Sequence, residues 1–224
     1  MIFIGLLIIA IGAFCQSSSY VPINKVKNWS WESYWFVQGI FAWLVFPILG
    51  ALLAIPSGES LLGLYTAHSA AALKTIFFGM LWGIGGLTFG LSMRYLGVAL
   101  GQSVALGLCS GLGTILTPIF TGNMQDLTTP VIVGVVVMLI GIAILSIAGS
   151  LKTKEVDDEK KKESVKDFNF GKGTLVAVLS GFMSACFAIG LGFGAPLTWE
   201  GTPEIFKTLP ATLLVTFGGF LVNA

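Results

Sequence analysis

Seven apolar runs separated by short polar stretches organise the chain, at residues 2–22, 33–55, 75–96, 98–120, 130–150, 173–195 and 208–224. A hydrocarbon core about 30 Å thick is crossed by ~20 helical residues at ~1.5 Å each, so runs of this length predict membrane-spanning helices. The third and fourth runs are joined at Met93-Arg94-Tyr95-Leu96-Gly97; the third holds no charge before Arg94 and the fourth holds none. Both carry small residues at helical spacing: Gly79, Gly83, Gly86 and Gly90 on one, Ser103, Gly107 and Gly111 on the other. Lipid provides no hydrophobic drive between helices, so close backbone approach at small residues is a main source of their packing. The pattern predicts a tightly packed helical hairpin. Elsewhere Pro47 interrupts the second run, residues 56–74 read as a connection holding Glu59 and His68, and Gly134 and Gly141 share one face of the fifth run. The seventh run stops at Ala224 with no cap or charged flank, as expected of a chain broken off inside a longer bundle.

Composition narrows the class. The chain is 55% hydrophobic and 10% charged, against the ~25% charged residues of a soluble domain. Such a chain has lipid as its solvent. The first run lacks both the basic flank and the small-residue cleavage site of a secretory signal, and Phe14 before Cys15 argues against lipoprotein processing, so it reads as a retained helix. Its end, Gln16-Ser17-Ser18-Ser19-Tyr20, is polar and is expected to face protein or a cavity. Cys15, Cys109 and Cys186 all lie inside apolar runs without metal or redox spacing and read as small core residues.

Charge distribution predicts orientation. Of the 23 charged residues, 13 lie within 152–172, which reads as a solvated loop. Loops after odd-numbered runs carry ten of the lysines and arginines; those after even-numbered runs carry only Lys74 and Lys207. Because basic loops stay cytoplasmic, the N-terminus is expected outside. Trp29, Trp31, Tyr34 and Trp35 crowd the start of the second run, as amphipathic rings do at a headgroup boundary.

That topology places candidate binding residues by depth. Gln16, Gln38 and Gln102 lie roughly 6–9 Å from the cytoplasmic boundary at ~1.5 Å per residue, and Thr88 at roughly 12 Å. The three amides either line a polar cavity or hydrogen-bond between helices. Arg94 sits near the end of its run, where its stem snorkels to the surface, a role favoured over direct substrate contact. Trp82, among glycines away from the interfacial belt, either fills the groove they leave or offers its face and indole N–H to a sugar. Glu32 stands at the mouth of the second run. Burial there would raise its pKa and suit it to carry a proton, but a first-turn carboxylate held by the helix dipole is the favoured reading.

No His-Glu metal pair, nucleophile elbow or intramembrane carboxylate pair occurs, so an enzyme is not expected, nor is a metal or organic cofactor. No filter-like signature points to a channel. Five spans (1–150), a charged cytoplasmic loop (151–172) and the start of another glycine-rich set (173–224) suggest a duplicated transporter half, and a five-helix unit makes its repeat inverted.

Lys25-Val26-Lys27, Trp29-Ser30-Trp31-Glu32, Trp82-Gly83-Ile84-Gly85, Gly90-Leu91, Met93-Arg94-Tyr95-Leu96-Gly97, Thr117-Pro118-Ile119, Gly122-Asn123 and Phe168-Asn169 with Lys172-Gly173 closely resemble the L-rhamnose–proton symporter family of the drug/metabolite transporter superfamily. The resemblance runs from about Ser19 to Ala224. It implies an all-α polytopic membrane protein of ten helices in two inverted five-helix repeats, of which about seven are present here. It also implies uptake of L-rhamnose or a related deoxy-hexose with a proton as coupling ion, at the bacterial cytoplasmic membrane, with the sugar, protons and lipid as partners and no nucleic acid. Gly86-Leu87-Thr88 is less polar than the enterobacterial members lead one to expect, which leaves the sugar open. Since no run contains a carboxylate or histidine in its interior, the coupling residue is expected in helices beyond Ala224. A non-transporting membrane receptor or assembly subunit, or a carrier for another metabolite, is the alternative.

Overall fold

The computed structural model describes residues 2–18, 26, 29–155 and 169–223, and every regular element among them is helical. Six of the helical stretches are long and apolar enough to cross a membrane: Glu32–Leu53, Ser69–Leu96, Leu100–Thr121, Thr129–Ala148, Phe170–Phe193 and Glu204–Asn223. The chain is a polytopic all-α membrane protein. It divides into two compact units, Met1–Gln38 and Gly39–Ala224.

The first unit holds α1 (Ile2–Ser18) and most of α2 (Trp31–Gly39). In α1 the continuous apolar stretch is Phe3–Cys15, shorter than a full span; the remainder of the first predicted run, residues 19–22, lies outside the described residues. At its end the hydroxyl of Ser18 donates to the carbonyls of Phe14 and Cys15 at 2.8 and 3.2 Å, so the terminal polar residue is satisfied by its own helix. Cys15 is exposed, which corrects its reading as a core residue; Cys109 is half-buried and Cys186 buried. At the start of α2 the backbone N–H of Ser33 donates to Ser30 Oγ at 3.2 Å, the usual way a serine covers an unpaired first-turn donor.

The second unit opens with a π-helical segment, Ile40–Val45, that runs into α3 (Phe46–Leu53). Its cause is Pro47. Proline has no N–H to donate and its ring collides with the carbonyl four residues back, and a wider turn relieves that collision. The Phe46 N–H accordingly reaches back five residues, to Phe41 O. Then follow α4 (Leu61–Ala67), α5 (Ser69–Leu96), α6 (Val98–Thr121), α7 (Thr129–Glu155), α8 (Phe170–Phe193) and α9 (Leu209–Asn223).

Residues 56–74 are not the plain connection expected. Ser60 caps α4 by accepting the Gly63 N–H at 3.1 Å, and α5 begins at Ser69, one residue after the break at His68. Leu64 of α4 and Ala72 of α5 pack with Leu197, Ala211 and Leu214, so α4 closes one end of the bundle. Tyr65 donates to Pro210 O at 3.0 Å, and burial pushes its phenol up to about 12, keeping the proton on the donor. At the other border, α7 continues to Glu155 instead of stopping at the charged stretch, because lysine and glutamate are good helix formers. The rest of that stretch, residues 156–168, lies outside the described residues.

The predicted α5–α6 hairpin is present, with Gly101 of α6 close on the Ser92 backbone of α5, but most glycines of its two stripes face other helices. α5 packs most extensively on α8 and α9, and α6 on α8. On α5, a Cβ at Gly79 would run into the backbone of Val215 in α9, and one at Gly85 would lie 2.7 Å from the backbone N of Ser184 in α8. On α6, Gly107 and Gly111 meet Ile142, Met138 and Leu139 of α7. Gly90, the last member of the α5 stripe, has nothing within 4 Å of a would-be Cβ, and neither do Gly134 and Gly141 of α7. Periodicity found the stripes; it could not say which neighbour each would meet.

Candidate functional site

The polar chemistry inside the second unit concentrates where α5 meets α8 and α9. Thr75, Ser92 and Ser180 are fully buried. Thr75 Oγ1 donates to Gly190 O at 3.2 Å and Ser180 Oγ to Gly85 O at 3.0 Å, each tying one helix to a carbonyl on the other. At the end of α9, Asn223 Nδ2 donates to Gly83 O at 3.0 Å and to Gly219 O at 2.9 Å. Two carbonyls on one side of the amide oblige its nitrogen to face them. Its Oδ1 is buried and has no hydrogen-bond partner. A buried acceptor left unpaired costs about 1–3 kcal/mol, so it marks a place where a donor would be bound.

Aromatic rings pack on the same helices. Trp82, one residue before Gly83 on α5, meets Phe187 of α8 edge-on with centroids 5.0 Å apart, and Trp43 of the π segment at 5.9 Å. Its benzo ring lies over Gly219, where a Cβ would come within 2.5 Å. Trp82 therefore fills a groove, and the groove belongs to α9 rather than to the glycines of its own helix. A second group forms nearer the start of α5. Phe78 stacks on Phe193 at 5.3 Å and meets Phe120 at 5.9 Å, with Lys74 Nζ 4.9 Å from the centre of the Phe193 ring.

The residues singled out from sequence lie on four helices, α1, α2, α5 and α6. Gln38 is half-buried in the first unit, with Oε1 buried and unpaired. The side chain of Gln16 lies outside the described residues. Gln102 is half-buried on α6, in the other unit from Gln38, so neither unit gathers the three amides into one site. Thr88 donates to Ile84 O and Gly85 O, both at 3.0 Å, and so spends its proton on its own helix. Arg94 is exposed in the last turn of α5, where a cation complements the helix dipole. Glu32 is exposed in the first turn of α2, so burial does not prepare it to hold a proton near neutrality.

Sequence reading missed Asn223, Trp43 and Phe187. Asn223 carried a signal, since it is the one amide in the last apolar run; the two rings carried none, because aromatic residues in apolar runs are common. Among the described residues no three His, Cys, Asp or Glu side chains group to hold a metal ion. Two sequence motifs turn out to meet. Asn169 caps α8 by accepting the Lys172 N–H at 3.0 Å, its own N–H donates to Tyr95 O at 3.1 Å, and Gly173 is buried against Tyr95 and Leu96. The Arg-Tyr-Leu-Gly and Asn-x-x-Lys-Gly segments are thus two sides of one helix-end contact.

The L-rhamnose-proton symporters of Enterobacter sp. (strain 638) and Escherichia coli are each 34% identical over 223 residues, covering 95% of this chain and 62% of their own length. That of Cronobacter sakazakii is 34% identical over 229 residues, covering 98% and 64%. The chain thus spans less than two thirds of the length of these curated relatives. No solved structure matches. The family of the L-rhamnose-proton symport protein (RhaT) matches residues 1–224, and the chain belongs to that family.

Proposed function

We propose that this chain forms part of a secondary transporter that carries L-rhamnose, or a related deoxy-hexose, together with a proton across the bacterial cytoplasmic membrane. Beyond family membership, the observation that carries this reading is the unpaired Asn223 Oδ1 on the α5–α9 seam, a buried polar acceptor in an apolar bundle. Residues 1–150 form the first five-helix repeat in this reading, 151–172 the charged cytoplasmic loop, and 173–224 the first two helices of an inverted second repeat. The packing of α8 and α9 against α5 supports it, since alternating access works by one repeat rocking against the other around a shared site. Sugar and proton bound together stabilise the occluded state more than either alone, which couples their movement.

The proton-binding group is a separate matter. Among the described residues, no carboxylate or histidine lies deeper than the terminal turn of a candidate span. Arg94 holds its proton at all working pH values. The coupling group is therefore proposed to lie outside these 224 residues.

Reconstituted protein should accumulate labelled L-rhamnose when an inward proton gradient is imposed, and collapsing the gradient should abolish accumulation. Uptake indifferent to the gradient would make the protein a facilitator. No uptake of this or any related sugar would favour a receptor or assembly role.

Orientation has its own test. With the basic loops cytoplasmic and the N-terminus periplasmic, a cysteine replacing Ser164 should react with an impermeant thiol reagent only from the cytoplasmic side, and one replacing Ser57 only from outside. Ser57 is exposed in the turn after α3, whereas Ser164 lies outside the described residues. The opposite pattern would invert the topology and every depth drawn from it.

A further inference from the structure

Asn223 is half-buried with a buried Oδ1, and it stands out because the placement of both ends of its amide is set. Its Nδ2 is held by Gly83 O and Gly219 O, one carbonyl from each helix of the seam, so the amide cannot turn over without losing two hydrogen bonds. Oδ1 is consequently fixed on the far side, toward Gly86 of α5, where a Cβ would lie 3.6 Å away. One turn further along the same face, Gly90 has nothing within 4 Å of its would-be Cβ. The oxygen is sealed in this state but borders the part of the seam where α5 presents glycine and open space.

We propose that Asn223 Oδ1 accepts a hydrogen bond from a hydroxyl of the transported solute, an assignment that rests on the transport reading above. The chemistry sets the class of ligand. A fixed amide oxygen is an acceptor only, so it takes a donor such as a sugar hydroxyl and rejects a carboxylate, which has no proton to give at neutral pH. Rigid placement by two backbone carbonyls makes the position of that acceptor a property of the seam, and so makes it sensitive to which hydroxyl a sugar presents. The seam must part at this end for the hydroxyl to enter, and Gly86 and Gly90 leave it free of side chains on the α5 side.

The test is equilibrium binding of L-rhamnose and its monodeoxy analogues to the reconstituted protein, wild type against Asn223→Ala. The variant should bind L-rhamnose at least tenfold more weakly. One monodeoxy analogue, distinctly weaker than L-rhamnose on the wild type, should bind the variant as well as L-rhamnose does, because both partners of the same hydrogen bond are then absent. A uniform loss across all analogues, or no loss, would overturn the assignment and leave Asn223 a helix-pairing residue. Where Asn223→Ala fails to fold, Gly86→Ala decides: its methyl meets Oδ1 at ordinary contact distance and no backbone atom, so the fold is kept while the approach to the oxygen narrows. That variant should lose several-fold in affinity for L-rhamnose, and wild-type affinity would sink the proposal. If the wild type itself binds no L-rhamnose, the transport reading falls first and this one with it; wild-type binding with unaltered variants removes this one alone.

Discussion

Gly79→Leu should prevent stable assembly of the bundle, while Gly90→Leu, three turns along the same helix face, should leave it intact. A Cβ at Gly79 already runs into the Val215 backbone, and the approach is reciprocal, since a Cβ at Gly218 would run into Ile76 O. Backbone atoms held in two helices cannot move aside as a side-chain tip can. Overpacking commonly costs about 1–3 kcal/mol, and a clash of backbone on backbone belongs at or above the upper end of that range. Insertion into the membrane should survive, because leucine is more apolar than glycine. At Gly90 there is open space, so the substitution should fall within about 0.5 kcal/mol of wild type. Thermal unfolding in detergent, followed by size-exclusion chromatography, reads both. Equal melting of the two variants would mean that α5 and α9 do not meet at Gly79.

Trp82→Ala should be the second large effect, and its companion Trp82→Phe should separate packing from recognition. The indole is the centre of contacts to Trp43, Phe187 and Gly219. Trp82 is half-buried, and deleting even a fully buried aromatic side chain costs about 3–5 kcal/mol in water-soluble cores, part of it transfer out of water. Lipid removes that transfer part but not the cavity, so about 3 kcal/mol is expected, with transport lost. Phenylalanine restores a ring over Gly219 but not the indole N–H. If Trp82 acts by filling, Trp82→Phe should regain most of the stability and most of the uptake. Wild-type melting with uptake abolished would instead assign the indole to the solute.

These expectations show where the chain itself was informative. Six of the seven predicted spans were legible because a membrane span is a one-dimensional requirement: enough apolar residues in a row to cross the hydrocarbon and satisfy every backbone group internally. The same holds for the glycine stripes, which are periodicities. Cap chemistry was legible in principle at Ser60, whose hydroxyl starts α4, yet the apolar residues after it are too few to stand out from a loop. The charged stretch misled at its border, because Lys152 to Glu155 look like solvent-exposed loop by charge but prefer helix by propensity.

The candidate site was legible only in part, for a geometric reason. Gln16, Gln38 and Gln102 share a depth in the sequence reading, and depth is one coordinate; which residues converge also depends on which way each helix is turned and on its neighbours. Trp82 was found because it sits oddly among glycines, but that its ring would lie on Gly219, 137 residues away, is a property of the α5–α9 pairing. The lone amide of the last run became a fixed acceptor only once Gly83 and Gly219 offered their carbonyls to its nitrogen. Sequence alone determined that this protein lives in lipid, where six of its spans run, and which family it belongs to, because hydropathy, length and local motifs are written along the chain. Tertiary structure alone decided which glycines touch, which hydroxyls are already spent and which polar atoms are left unpaired, because those depend on the close approach of helices distant in sequence.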